Sequence, residues 1–272
     1  MFFTKLFDKP NLVAAHRGVS SLRAENTMAA FRKALGRNDF VELDVGFSRD
    51  GEAIIIHDST LLRTSDVINH GQFQPPYEVT DYDLSELKTL DFSSWFAEGD
   101  PFGTIKSGKV SLEELQRLPV ERIPTLKETL SFLKETGMPV NIEIKDMSGT
   151  EFDSIAAEKV VDIIHEFQYQ DSVVISSFNH GYLKQCKQLA PEITTGVLVE
   201  NNHPENLIEY LHSLKADAYH ADYTMLDKQL VDKLRNAGFT VNAYTVNGLE
   251  DMNRMFDMGV CAIFSDMLEM IQ

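Results

Sequence analysis

The strongest constraint on this chain is a rhythm in its second half. From residue 137 onward, short β-branched runs alternate with stretches of helical period, separated by brief Gly, Asn, Asp or Pro punctuation. Runs at 140–145, 173–178, 195–199, 218–221, 240–246 and 261–265 read as strands. Between them, 152–167 places Ile155, Val160, Ile163, Ile164 and Phe167 on one helical face, and 226–237 reads as a helix stopped by Gly238. Two earlier strands, 12–15 and 40–45, flank a helix over 26–36. Strands so uniformly apolar are buried on both faces, the condition of a parallel sheet covered by helices. Eight of them in 272 residues predict an α/β protein of the (β/α)₈ TIM-barrel class rather than an open doubly wound sheet.

Residues 59–116 break the rhythm, being rich in Asp, Ser, Pro and aromatics without a sustained period. An unstructured excursion of that length is unusual inside a compact domain. It is expected to fold as an insertion, a cap or lid over one barrel end, leaving 1–58 and 117–272 as the catalytic barrel.

Charge narrows the partners. The chain carries 25 Lys and Arg against 42 Asp and Glu, a formal charge of −17, which argues against a nucleic-acid partner. No window approaches the roughly 18 apolar residues of a membrane span. The opening residues 1–15 lack the apolar core of about 7–15 residues that a secretory signal needs, so a cytoplasmic location is expected. Cys186 and Cys261 form no CxxC pair and read as buried free thiols.

The chemistry sits at strand ends. Residues two apart on a strand share a face, so Glu42 and Asp44 in VELDV point one way, and Glu143 and Lys145 in NIEIK do the same on another strand. Catalytic groups of this fold lie at the carboxyl ends of strands, so three acids and one base are expected to converge. Close carboxylates repel one another unless a cation holds them, and an all-oxygen set suits magnesium, calcium or manganese. One divalent cation on Glu42, Asp44 and Glu143 is the expectation.

Two histidines accompany the acids. A two-residue turn centred on Asp50-Gly51 pairs residues whose numbers sum to 101, placing His57 opposite Asp44. His16 ends the first strand in AAHRG, next to Arg17 and a Gly18 that permits a sharp turn. Imidazoles beside a carboxylate triad are suited to proton transfer near neutral pH. The remaining six histidines, His165 and His180 among them, are expected to be structural. Three carboxylates, a divalent ion, Arg17 and Lys145 together leave one net positive charge, which matches the monoanion of a phosphodiester.

The chain closely resembles the glycerophosphodiester phosphodiesterases. The likeness rests on ordered blocks: HRG at 16–18, ENT at 25–27, ELDV at 42–45, RDG at 49–51 and HD at 57–58. There follow LxRT at 61–64, IPTL at 123–126, NIEIK at 141–145, ISSF at 175–178 and YTVN at 244–247. LDFSSWF at 90–96 resembles a recurrent stretch of that family's insertion. The resemblance implies a distorted (β/α)₈ barrel that hydrolyses small glycerophosphodiesters, such as glycerophosphocholine or glycerophosphoethanolamine, to glycerol 3-phosphate and an alcohol. It implies Glu42, Asp44 and Glu143 as metal ligands, His16 and His57 as the acid–base pair, and Arg17 and Lys145 as phosphate contacts. Glu25 and Asn26 would orient Arg17 or cap the first helix. Tyr244 stands where the family usually has Trp, which alters an aromatic wall of the pocket.

Two other readings give different expectations. A lysophospholipase D or phospholipase C working at a lipid surface requires exposed apolar residues near the barrel mouth, for which 73–77 and Trp95-Phe96 are available. A non-catalytic phosphodiester sensor would be expected to have lost a histidine or an acid, and none is lost. A monomer or homodimer fits either case.

Overall fold

The computed structural model describes residues 9–271, and residues 1–8, the start of the expected barrel and of the leader reading, lie outside the described residues. The apolar runs become β1 (Leu12–Ala15), β2 (Phe40–Phe47), β4 (Val140–Ile144), β5 (Val173–Ser177), β6 (Thr194–Val199), β7 (Ala218–Asp222), β8 (Thr240–Tyr244) and β9 (Ala262–Ser265). These eight are parallel to their neighbours, and the β1–β2 pairing closes them into a ring. A further strand, β3 (Ala53–Ile55), runs antiparallel on β2 outside the ring.

Strand alternation divides the side chains into two populations. Val41, Leu43, Val45, Val140, Ile142 and Ile144 face outward into the main apolar core shared with the helices. The inward residues form a separate cluster of Leu12, Ala14, Phe40, Val174, Ala218, Ala262 and Phe264. Continuing along the same inward faces, two residues at a time, the chain reaches His16, Glu42, Asp44, Glu143, His220 and Tyr244. A dry plug at one depth therefore gives way to polar chemistry nearer the carboxyl ends of the strands.

Helix boundaries follow local capping. Thr27 accepts from Ala30 N and starts helix Met28–Ala34, so the capping role considered for Asn26 belongs to its neighbour. Thr125 and Glu128 form a reciprocal capping box at the start of helix Leu126–Thr136, which Gly137 ends at φ +69°. The expected helix over 152–167 is shorter, Ala156–Glu166, and Val160 and Ile164 are buried as expected while Ile163 and Phe167 are half-buried. Helix Lys228–Asn236 lies within the expected 226–237. Cys186 is buried and Cys261 only half-buried, and both are free thiols.

The hairpin departs from its expected register. Observed pairs Val45–Ile55, Gly46–Ile54 and Phe47–Ala53 have numbers summing to 100, not 101. The cause is a three-residue loop: Gly51 N donates to Ser48 O, Ser48 N donates to Glu52 O, and Gly51 sits at φ +78°. Ile56 N, donating to Asp44 O at 3.0 Å, makes the last bond of the ladder. His57 lies just beyond it and reaches the acids by leaving the ladder rather than by pairing with Asp44.

Residues 59–116 contain short helices, among them Leu84–Leu87 and Ser94–Gly99, and helix Leu112–Arg117 runs one residue past the expected boundary. Leu61, Val67, Phe73, Val79, Tyr82, Leu87, Leu90 and Phe92 pack a second apolar cluster against Ile54, Ile56 and Ile123. Of the aromatics available for a lipid surface, Phe73 and Phe96 are buried, at 3% and 1% exposed, while Tyr77 and Trp95 are half-buried. Among the described residues no helix is long and apolar enough to cross a membrane.

Candidate active site

Parallel pairing sets Asp44 of β2 beside Glu143 of β4, and Glu42 lies one inward position below Asp44. One carboxylate oxygen from each of Glu42, Asp44 and Glu143 comes within 4.8 Å of the others, and all three residues are buried. Arg17 N donates to Glu42 Oε2 at 2.7 Å, Asn26 Nδ2 to Asp44 Oδ2 at 2.8 Å, and Lys145 Nζ to Glu143 Oε1 at 2.5 Å. Lys145 Nζ is also 3.4 Å from Asp44 Oδ1.

Burial raises the Glu42 carboxyl to about 8, helped by the neighbouring charge of Asp44. Burial and then Asp44 likewise push Glu143 upward. Burial acts the same way on Asp44, but Lys145, Arg17 and the histidines overcome it and hold Asp44 well below the usual carboxylate range. Glu42 Oε1 and Asp44 Oδ1 are buried with no hydrogen-bond donor. Buried polar atoms in proteins are nearly always satisfied, so two acid oxygens without a hydrogen bond in one cluster, Asp44 Oδ1 having only the Lys145 ammonium at 3.4 Å, suit a hard divalent cation. The residues present fit such an ion.

Both histidines are built alike. His16 Nδ1 is 2.7 Å from Asp266 Oδ1, and His57 Nδ1 is 2.6 Å from Asp58 Oδ1. A carboxylate on Nδ1 fixes ring orientation and leaves Nε2 for chemistry. His16 Nε2 is 3.9 Å from Glu42 Oε2. Burial disfavours charge on His16, but Asp266 and Glu42 outweigh it and raise the imidazole to about 9. Asp266, despite burial, is pulled down by His16 and by the Asn247 hydrogen bond.

Arg17 adopts φ +56°, a left-handed conformation that accompanies its backbone bond to Glu42. Its Nη1 donates to Glu25 Oε1 at 2.8 Å, and its Nε lies 3.4 Å from Asp44 Oδ2. Glu25 holds the Arg17 side chain, whereas the Asn26 side chain holds Asp44 rather than Arg17, and Thr27 caps the helix.

A cavity of about 220 Å³ collects His16, Arg17, Glu42, His57, Glu143 and Tyr244. Lys145 is not in its wall, being turned onto Glu143 and Asp44. The opposite wall is aromatic: Tyr244 and Phe178 meet edge-to-face with centroids 6.1 Å apart, and Tyr244 Oη donates to Val199 O. His220, expected to be merely structural, also lines this cavity, and burial lowers it to about 3. Its neighbour Asn242 Nδ2 is 2.9 Å from His220 Nε2.

A model of the glycerophosphoryl diester phosphodiesterase family matches residues 16–270. The chain belongs to that family. It is 36% identical over 259 residues to the glycerophosphodiester phosphodiesterase of Caldanaerobacter subterraneus subsp. tengcongensis, covering 94% of this chain and 93% of that one. A glycerophosphodiester phosphodiesterase of Bacillus subtilis is 31% identical, with 94% of this chain and 83% of that one covered. Among solved structures, an Oleispira antarctica phosphodiesterase in complex with the product sn-glycerol-3-phosphate gives a TM-score of 0.82 at 31% identity, covering 100% of this chain and 97% of that one. A putative glycerophosphoryl diester phosphodiesterase from Silicibacter pomeroyi DSS-3 shares the fold, with a TM-score of 0.85 at 20% identity over 100% of this chain and 96% of that one.

As a glycerophosphodiester phosphodiesterase the chain is a phosphoric diester hydrolase, and the non-catalytic sensor reading is overturned. Sequence reasoning did not assign roles to Asp58 and Asp266, the two carboxylates behind the histidines. Asp58 was visible in the HD block, and Asp266 in the Ser265-Asp266 pair that ends β9.

Proposed function

We propose that this enzyme hydrolyses small glycerophosphodiesters, such as glycerophosphocholine or glycerophosphoethanolamine, to glycerol 3-phosphate and an alcohol. One divalent cation, magnesium, calcium or manganese, would be held by Glu42, Asp44 and Glu143. The observation that carries this reading is two imidazoles, each backed by a carboxylate, flanking buried acid oxygens in one cavity.

In the proposed reaction, His16 in its neutral form, the minor one below about pH 9, takes the proton of the glycerol 2-hydroxyl as that oxygen attacks phosphorus. His57 gives a proton to the departing alcohol oxygen, and a cyclic phosphate remains. Water then opens the ring, with neutral His57 taking the water proton and protonated His16 returning a proton to the 2-oxygen. Asp266 and Asp58 hold the rings in register through both steps. Arg17 and Lys145 are read as the phosphate contacts, Lys145 from its seat on Glu143 and Asp44 beside an adjoining cavity that it shares with His57. The cation, when bound, supplies positive charge against which phosphorus can become five-coordinate.

Residues 59–116 are read as a cap packed onto the hairpin that carries His57. The lipid-surface alternative has less support, since Phe73 and Phe96 are buried and half-buried Trp95 is held by Arg63 and by its Nε1 bond to Phe92 O.

The test is a product assay on glycerophosphocholine with chelated enzyme and with each cation restored singly. Glycerol 3-phosphate and choline should appear only with a cation. Undiminished turnover after chelation would remove the ion from the reaction, and release of glycerol with phosphocholine would place the cut on the wrong side of phosphorus.

A further inference from the structure

Arg63, from the LxRT block, belongs to the inserted segment and does not line the cavity. Its guanidinium nevertheless joins both halves of the site. Nε and Nη2 donate to Asp58 Oδ2 and Oδ1 at 2.7 and 2.9 Å, while Nη1 and Nη2 donate to Glu25 Oε2 and Oε1 at 2.6 and 2.8 Å. Two forked pairs on one guanidinium use four of its five N–H donors in their planar geometry.

The bonds form an alternating chain of charge. It begins at His57, passes through Asp58, Arg63, Glu25 and Arg17, and ends at Asp44. Three carboxylates are separated by two guanidinium groups, so removing Arg63 leaves Asp58 and Glu25 facing one another without a cation between them. Burial tends to raise Glu25, but Arg63 and Arg17 together hold it low. Trp95, from the LDFSSWF block, places its ring 6.0 Å from Arg63 Cζ, within cation–π range. The two conspicuous blocks of the insertion therefore meet at one residue, and that residue reaches the carboxylate behind a catalytic imidazole.

We infer that Arg63 is a positioning residue for the hydrolysis: it sets the His57–Asp58 pair against Arg17 and the acid triad, so that protonation of the leaving alcohol depends on the insertion. This rests on the reading of His57 as the acid for the departing alcohol. Lys cannot replace Arg here, because an ammonium is a point charge and cannot fork to two carboxylates at once.

The test compares two diesters in wild type, Arg63→Ala and Arg63→Lys. Glycerophosphocholine has an alkoxide leaving group that needs a proton; a glycerophospho-nitrophenol diester releases a phenolate that does not. If Arg63 positions His57, the single-turnover rate of choline release, read before the cyclic phosphate opens, falls about 10²-fold in Arg63→Ala, while the single-turnover rate of nitrophenolate release falls less than about threefold. Arg63→Lys should lose at least about tenfold on the choline diester alone, and added guanidinium should restore part of the Arg63→Ala loss. Equal losses on both substrates, or losses below about threefold on both, would overturn the inference while leaving the proposed function standing. Wild-type enzyme that cleaves neither diester would defeat the function itself, and the inference with it. If Arg63→Ala does not fold, Arg63→Lys carries the same comparison.

Discussion

His16 Nδ1 and Asp266 Oδ1 lie 2.7 Å apart although 250 positions separate them in the chain. Ring closure makes them neighbours: β1 pairs with β9 in a register that sets Ala15 beside Ser265, so the next residue of each strand meets its counterpart. Asp266 is itself held by Asn247 Nδ2 at 3.0 Å and Ser20 Oγ at 3.1 Å.

Asp266→Asn should therefore cost activity without unfolding the barrel. An amide of the same shape removes the charge that orients and stabilises a protonated ring, so kcat should fall about 10²-fold or more with little change in KM. The His16 imidazole should also titrate lower, readable by NMR of its ring carbons. An unchanged kcat would show that ring orientation comes from elsewhere.

Cation binding should appear in stability as well as in turnover. A ligand that binds only the folded state stabilises by about 2.7 kcal/mol at a hundredfold excess over its Kd. Magnesium or calcium should raise the melting temperature of chelated wild type, and Glu143→Gln should abolish that shift. A shift that survives in Glu143→Gln would place the ion at another site.

Gly196 on β6 is fitted to His220 on β7. A Cβ built at Gly196 would lie 2.4 Å from His220 Nε2, and that imidazole is fully buried between the strands and the cavity wall. Gly196→Ala should destabilise by about 1–3 kcal/mol, as overpacking does in dense cores. Denaturant unfolding measures it, and a change below about 0.5 kcal/mol would mean that the ring moves freely.

The same imidazole makes a pH-dependent contribution. Burial lowers His220 from 6.5 to about 3 in the folded chain, so below pH 6.5 the unfolded chain binds a proton that the folded chain refuses. Stability from this group is intact above pH 6.5 and is lost toward pH 3, at up to about 1.4 kcal/mol per pH unit. Glu42, raised to about 8, works in the opposite sense between 4.5 and 8, so the informative quantity is wild type minus His220→Gln. That difference should shrink as pH falls from 6.5 to 5, and a flat difference would exclude the effect.

Much of the site was legible in the chain because strand periodicity is local. Glu42 and Asp44 share a face whatever surrounds them, and Glu143 follows the same rule, so their convergence needed only the barrel to close. Thr27 could be mistaken for a neighbour because caps are set by a single backbone angle, within the ordinary uncertainty of helix ends. The hairpin went wrong for a related reason: Asp-Gly serves both two-residue and three-residue loops, and the choice moves the register by one. His57 still reached the acids, since the chain leaves the ladder before it.

The sequence by itself determined the inward and outward faces of each strand, the parallel architecture and the identity of the acids and imidazoles, because these follow from spacing along a few residues. Only the tertiary structure decided which carboxylate backs each histidine beyond its own neighbours, that Lys145 turns onto Glu143 and Asp44, that His220 enters the cavity, and that Arg63 ties the insertion to the site. Contacts such as His16 with Asp266, or Arg63 with Glu25, depend on ring closure and on how a segment without its own periodicity packs. No local pattern encodes either.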